Sequence, residues 1–244
     1  MPVLRPDLLA LVQPWLLPAQ RVDVRPLSAD DPAGIAKFAG SPARPADAPW
    51  PTCSSCDSFM DFVAQFPAQG RFWRLFVCES CCPWSDEERR QGLVALEHGP
   101  LSDAQLPGQD PPAPSMWEPH AWILTDVLSP PLDSDLEFVT PPDEYVAWLE
   151  EQGSQEEAEY DETARVFASW GAWAGAQSQI GGYAHFIQSS PQLNPCPECG
   201  QALSLLARLD SEDDVGIMWG DLGAVYLHAC PDHPHVHHYE LQCF

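Results

Sequence analysis

Cysteines with two residues between them recur along this 244-residue chain, at Cys53-x2-Cys56, Cys78-x2-Cys81 and Cys196-x2-Cys199, and Cys230 is followed at the same spacing by His233. Thiolate sulfur and neutral imidazole are donors that zinc accepts, and a C-x2-C turn aims two thiolates at one ion. The chemistry implied is tetrahedral coordination. Cys53, Cys56, Cys78 and Cys81 compose one set, with 21 residues between its halves. Cys196, Cys199, Cys230 and His233 compose a second, with 30 residues between its halves. A set of four leaves no position open to water, so the expected cofactors are two structural zinc ions rather than a catalytic one. Two places stay open. Cys82 could replace Cys81, and His235, in the tail "HPHVHHYELQCF", could replace His233.

Other readings of the cysteines fit less well. Their number is nine, and the start "MPVLRPDLLALVQPWLLP" is broken by proline and has no small-residue cleavage site, which argues against a secreted disulfide scaffold. A thioredoxin-type redox pair belongs beside a βαβ pattern, which the sequence does not offer. No apolar run is long enough to cross a bilayer, and the expected location is cytoplasmic.

The elements that must carry the ligands read as mostly β. "FMDFVAQF" alternates as a half-buried strand should, and "RFWRLFVC" is a second strand running into Cys78, with "PAQG" as a hairpin connection. "DLLALVQPWLL" predicts a short helix and "RVDVRPL" a strand. From 99 to 164 the composition changes, with sixteen acidic residues, ten prolines and no Lys or Arg. Inside that stretch "HAWILTDVL" predicts a strand and "PDEYVAWLEEQ" a helix with an acidic first turn.

The two cysteine regions align with each other. Met60, Phe62, Val63, Ala64 and Phe66 follow Cys56 at the offsets at which Leu203, Leu205, Leu206, Ala207 and Leu209 follow Cys199. Trp73, Leu75 and Val77 precede Cys78 as Val225, Leu227 and Ala229 precede Cys230. The expected fold is therefore α+β and β-rich, an internal duplication in a pseudo-twofold arrangement with one structural zinc site per unit. The expected boundaries are 1–98 and 165–244 for the two β-rich units, which would form one compact domain, and 99–164 for an acidic, proline-rich insert.

"AKFAGSPARPADAPWP", "IGGYAHFIQ" and "LLARLDSEDDVGIMWGDLGAVYLHA" resemble the signature stretches of the bacterial YwqG-like family, whose function is unknown. The cysteine framework, "KFAGSPARP…CSSCDSFMDFVAQF…RLFVCESC" and "CPECGQALSLLARLD…WGDLGAVYLHAC…YELQCF", resembles the eukaryotic programmed cell death protein 2 family. The second resemblance implies zinc-bearing duplicated units and a chaperone-like role toward a ribosomal protein. This chain departs from both patterns: typical YwqG-like proteins lack the cysteines, and typical eukaryotic members carry further zinc-binding elements.

A net charge of −25, with Lys37 as the only lysine, disfavours a nucleic-acid backbone or an anionic membrane and favours a basic polypeptide partner. No G-x-S-x-G, Walker loop or H-E-x-x-H is present. Trp219 and Asp221, in "MWGDLG", are the candidates for a ligand or interaction site, with a turn around a packed indole as the simpler account. His185 reads as a strand residue rather than a base. The leading expectation is a zinc-stabilised protein-binding module, chaperone-like, for a basic partner such as a ribosomal protein. A hydrolase or nucleic-acid-processing enzyme with a site near Trp219 and Asp221, and an immunity-type inhibitor of a basic toxin, are the alternatives.

Overall fold

The computed structural model describes residues 6–81, 94–113, 115–137, 139–153, 166–168, 170, 172 and 177–244. Among them are strands β1 (Leu17–Pro26), β2 (Lys37–Phe38), β3 (Asp61–Ala68), β4 (Arg71–Val77), β5 (Val94–Pro100), β6 (His120–Ser129), β7 (Gln179–Gly181), β8 (Ser204–Asp210), β9 (Ala224–Ala229) and β10 (His237–Gln242), and helices α1 (Pro6–Val12) and α2 (Asp143–Gly153). The described residues are mostly β, with ten strands hydrogen-bonded in the order β10-β9-β8-β7-β1-β6-β2-β3-β4-β5. Contacts group the chain into two compact units. One, here the Cys53 unit, is Asp23–Ile123 with Ser211–Met218; the other, the Cys196 unit, takes the described residues of Met1–Val22, Leu124–Asp210 and Trp219–Phe244.

In the Cys53 unit, aromatic residues crowd β3 and β4 because their rings pack well on a pleated surface. The two strands pair antiparallel through Phe62↔Phe76 and Ala64↔Leu75, and the extra residue between, Val63, makes a bulge. Gln69 and Gly70 turn the hairpin with φ of 49° and 69°, the left-handed pair that a two-residue hairpin turn requires. Strand β3 is buried from Phe62 through Phe66 rather than on one face only. The polar Gln65 is a buried clamp. Its Nε2 donates to the carbonyls of Ala33 (2.7 Å) and Ile35 (2.8 Å), and its Oε1 accepts from the Ala43 amide (2.8 Å).

The loop that leads to Cys53 is held down by buried cations. Lys37 donates to the carbonyls of Ala33 and Ser41 at 2.9 and 2.7 Å, and burial pushes its pKa down to about 8. Arg74 reaches the carbonyl of Ala43 at 2.6 Å and Asp103 at 2.9 Å. Arg44 makes a forked pair with Glu97 (3.0 and 2.6 Å) and lies over the rings of Trp50 and Phe76. Trp50 donates in turn to the Met60 carbonyl at 2.7 Å, which sets the chain on both sides of the first cysteine pair.

In the Cys196 unit α1 gives way to a 3-10 turn at Gln13–Trp15, because Pro14 has no amide proton to continue an α-helix. Leu8 and Val12 pack with Tyr145, Trp148 and Leu149 of α2 and with Phe167 and Trp170. The expected strand "HAWILTDVL" and helix "PDEYVAWLEEQ" are present as β6 and α2. Strands β8 and β9 form an antiparallel pair with a register shift between Leu205 and Ala207.

A polar network underlies this sheet. Arg208 pairs with Asp210 through Nε and Nη2, both at 2.8 Å, and Nη1 donates to the His185 carbonyl at 2.7 Å. His185, with φ of 46°, puts Nε2 2.9 Å from the Pro130 carbonyl and 3.8 Å from Asp135, and Asp135 accepts from the Leu132 amide at 2.9 Å. Burial raises the pKa of Asp135 to about 6 and lowers that of His185 to about 4.

Taken singly, Asp135 contributes stability at acid pH that is lost as pH rises through about 6, because the folded state keeps a proton that the unfolded chain has released. His185 contributes stability at neutral pH that is lost as pH falls toward about 4, because the unfolded chain binds a proton first. Between the two values the slopes oppose each other. Unfolding free energies measured across that window, compared with the wild type, should therefore slope further downward with rising pH in His185→Asn and further upward in Asp135→Asn, each by up to about 1.4 kcal/mol per pH unit. Equal slopes in the two variants would refute the assignment.

Candidate metal centres

Each candidate centre starts with the backbone of its C-x2-C turn. The Cys53 amide donates to the Ser58 carbonyl at 2.8 Å, and the Asp57 amide returns to the Cys53 carbonyl at 3.0 Å. In the other turn the Cys196 amide donates to Gln201 (2.8 Å) and the Gly200 amide to Cys196 (2.8 Å). Both turns close through a left-handed residue, Asp57 (φ 58°) or Gly200 (φ 74°). Gly and the short polar Asp are residues that adopt this conformation at low cost, which explains the C-x2-C-D and C-x2-C-G sequences.

The remaining ligands arrive from the end of a hairpin. Cys78 follows β4, and Cys81 ends a 3-10 turn at Glu79–Cys81. Cys230 follows β9, and a tight turn, with the Val236 amide on the His233 carbonyl at 2.8 Å, brings His233 back. The four ligand atoms of each set lie within 4.8 Å of one another. Sγ of Cys53 is 3.7 Å from Sγ of Cys81, and Sγ of Cys56 is 3.7 Å from Sγ of Cys78. In the second set Cys196 Sγ is 3.5 Å from Nδ1 of His233, and Cys199 Sγ is 3.5 Å from Cys230 Sγ. Metal–ligand bonds of about 2.3 Å to sulfur and about 2.0 Å to nitrogen, spread tetrahedrally, require about 3.8 Å between sulfurs and about 3.5 Å from sulfur to nitrogen. Both sets have the dimensions of a metal cage.

Their electrostatics point the same way. Hydrogen bonds from Ser58 bring the pKa of Cys56 down to about 6, whereas burial pushes Cys78 up to about 12. Four thiols this close cannot all ionise by themselves; a bound dication offsets the repulsion and deprotonates them together. All the ligand cysteines are unpaired thiols, so the sets can hold a metal ion with no disulfide between them. In both sets the ligands are, in chain order, buried, exposed, buried and half-buried.

The chain matches, over residues 112–233, a family described as a domain of unknown function, DUF1963. The protein belongs to that family. The DUF1963 stretch is half of the 244 residues, holds β6 to β9 and all four ligands of the second set, and leaves the first set outside. No curated protein matches the chain.

Of the other residues singled out by sequence, His235 lies outside the second set, with Nε2 on the Glu198 carboxylate. Cys82 lies outside the described residues. Trp219 and Asp221 are neighbours in a turn but part company: the indole is 2% exposed in the core, and Asp221 faces solvent. Gly220 (φ 62°) and Leu222 (φ 50°) give that turn its shape, and the Gly223 amide closes it on the Trp219 carbonyl at 2.8 Å. His185, expected in a strand, lies outside the strands with φ of 46° and is buried in the Arg208–Asp135 network. Sequence reasoning missed the buried cations Arg44, Arg74 and Arg208 and the carboxylate Glu198. A signal for two of them was available, since Arg74 and Arg208 stand in the middle of apolar runs in a chain with only eleven basic residues.

The cage geometry distinguishes the two histidines by experiment. His233→Ala is expected to remove one equivalent of bound metal per chain, measured by elemental analysis of protein purified without a histidine tag, and His235→Ala none. The reverse pattern would mean that the chain closes the second cage in another register.

Proposed function

We propose that this protein is a zinc-stapled protein-binding module, cytoplasmic and chaperone-like toward a basic polypeptide such as a ribosomal protein. The observation that carries the metal half of this reading is the closure of both cages. Each has four ligand atoms at tetrahedral spacing, and a complete set leaves no coordination position for a substrate. Sulfur-rich sets of this geometry suit zinc best among the common divalent ions.

The reading includes an internal duplication. Ala64 and Ala207 stand equally far after Cys56 and Cys199, and each follows the register shift of its strand. Each of these strands pairs with a short one, Phe38↔Ala64 and Ile180↔Ala207, and each short strand runs into two left-handed residues, Ala39–Gly40 and Gly181–Gly182. Bulges and consecutive positive-φ residues are uncommon features, and matching them in order favours descent of both regions from one unit. Kinship with the YwqG-like and programmed cell death protein 2 families, and with it the chaperone-like role, rests on the sequence resemblance and the paired cysteine sets.

The partner half rests on charge. Thirty-six acidic residues against eleven basic ones, of which Lys37, Arg44, Arg74 and Arg208 are buried, leave a strongly negative exterior. Such a field speeds encounter with a cationic chain and is screened beyond about 8 Å at physiological ionic strength.

Two tests follow. Purified protein should carry two zinc ions per chain, and a strong chelator should lower its melting temperature, because metal binding and folding are linked; two free sets of thiols in well-folded protein would end the zinc reading. Mixed with total small-subunit ribosomal proteins at low salt, the chain should retain a basic protein stoichiometrically and release it as salt rises. If it retains none of them and instead captures a basic secreted nuclease, the inhibitor reading replaces this one.

A further inference from the structure

The two cages differ in one chemical respect. A thiolate ligand has no proton left to donate, whereas an imidazole that binds metal through one nitrogen presents an N–H at the other. In the second cage Nδ1 of His233 faces the sulfurs, 3.5 Å from Cys196 and 3.8 Å from Cys230. With Nδ1 on a metal ion, Nε2 would point away from it and carry the proton. Facing it is Glu198, whose Oε2 lies 3.6 Å from Nε2, a few tenths of an ångström beyond hydrogen-bond length. The other oxygen, Oε1, is held by Nε2 of His235. Glu198 is itself the residue before Cys199 in the C-x2-C turn, so the turn that supplies two ligands also supplies a carboxylate to the third. At the same position in the first turn stands Ser55, whose backbone amide donates to Cys53 Sγ at 3.3 Å. A carboxylate there would meet four thiolates and no N–H.

We propose that Glu198 is a positioning residue for the second metal centre, accepting the Nε2–H of His233 and fixing the tautomer that presents Nδ1 to the ion, with His235 holding the carboxylate from its far side. This rests on the metal reading of the Cys196, Cys199, Cys230 and His233 set. A carboxylate on the remote N–H makes the imidazole a stronger donor and restricts its rotation, and losing such a partner costs about 10- to 100-fold in metal affinity. His235 thereby has a role without being a ligand.

The test uses the full chain loaded with zinc and titrated with a chromophoric chelator, the release step of the second centre being assigned as the one absent in His233→Ala. Glu198→Gln, which keeps the shape but removes the charge, should weaken the second centre about 10- to 100-fold while the first centre, the internal control, is unchanged. His235→Ala should weaken it in the same direction by less. In His233→Cys, a four-thiolate cage with no N–H to accept, Glu198→Gln should leave the affinity as it was. Wild-type affinity in Glu198→Gln overturns the proposal. So does a loss that persists undiminished in His233→Cys, since Glu198 would then act through the turn and not through the imidazole. A wild-type chain that releases only the zinc of the first centre refutes the metal reading itself, a result distinct from either.

Discussion

Two cysteines in a turn and two more ligands at the end of a hairpin have little reason to meet unless something holds them together. The turns are short and exposed at Cys56 and Cys199, while Cys53 and Cys78 pack with Met60, Phe62 and Phe76. The four candidate ligand atoms of each set lie within 4.8 Å of one another where the turn meets the base of its hairpin, and a metal ion held there would tie the two together. The left-handed Asp57 and Gly200, the strand ends at Val77 and Ala229, and the burial of one cysteine from each pair all serve this convergence.

Around the cages, buried ions do what apolar packing alone would not. An unpaired charge in a core costs several kcal/mol, so each buried cation must be matched in place, and that requirement selects one loop conformation over its competitors. Lys37 and Arg74 read carbonyl oxygens along the loop before Cys53, and Arg44 is matched by Glu97. Arg208 does the corresponding work in the Cys196 unit, through Asp210 and the His185 carbonyl.

The two candidate sets were legible because the spacing of Cys and His that a metal could use is local, and local spacing is written in the sequence. The same holds for the β3–β4 hairpin, whose aromatic runs are separated by residues suited to a tight turn. Gln65 shows where such reading stops. It stands between Ala64 and Phe66 in the sequence, but its partners, Ala33, Ile35 and Ala43, come from a loop more than twenty residues upstream. Asp135 and His185 are fifty residues apart and become a buried pair only when the chain returns.

By itself, then, the amino-acid order determined which donors exist, how they are spaced, where strands begin and end, and the sign of the surface field, since each depends on residue type over a few positions. Tertiary structure placed His233, not His235, beside the sulfurs. Both rings lie within reach along the chain, but the turn closed by Val236 carries Nδ1 of His233 to the sulfurs and leaves His235 to Glu198. It also set Trp219 in the core and Asp221 in solvent, although they are two residues apart. Burial and direction are properties of the surroundings, and the surroundings are made by parts of the chain that the local sequence does not contain.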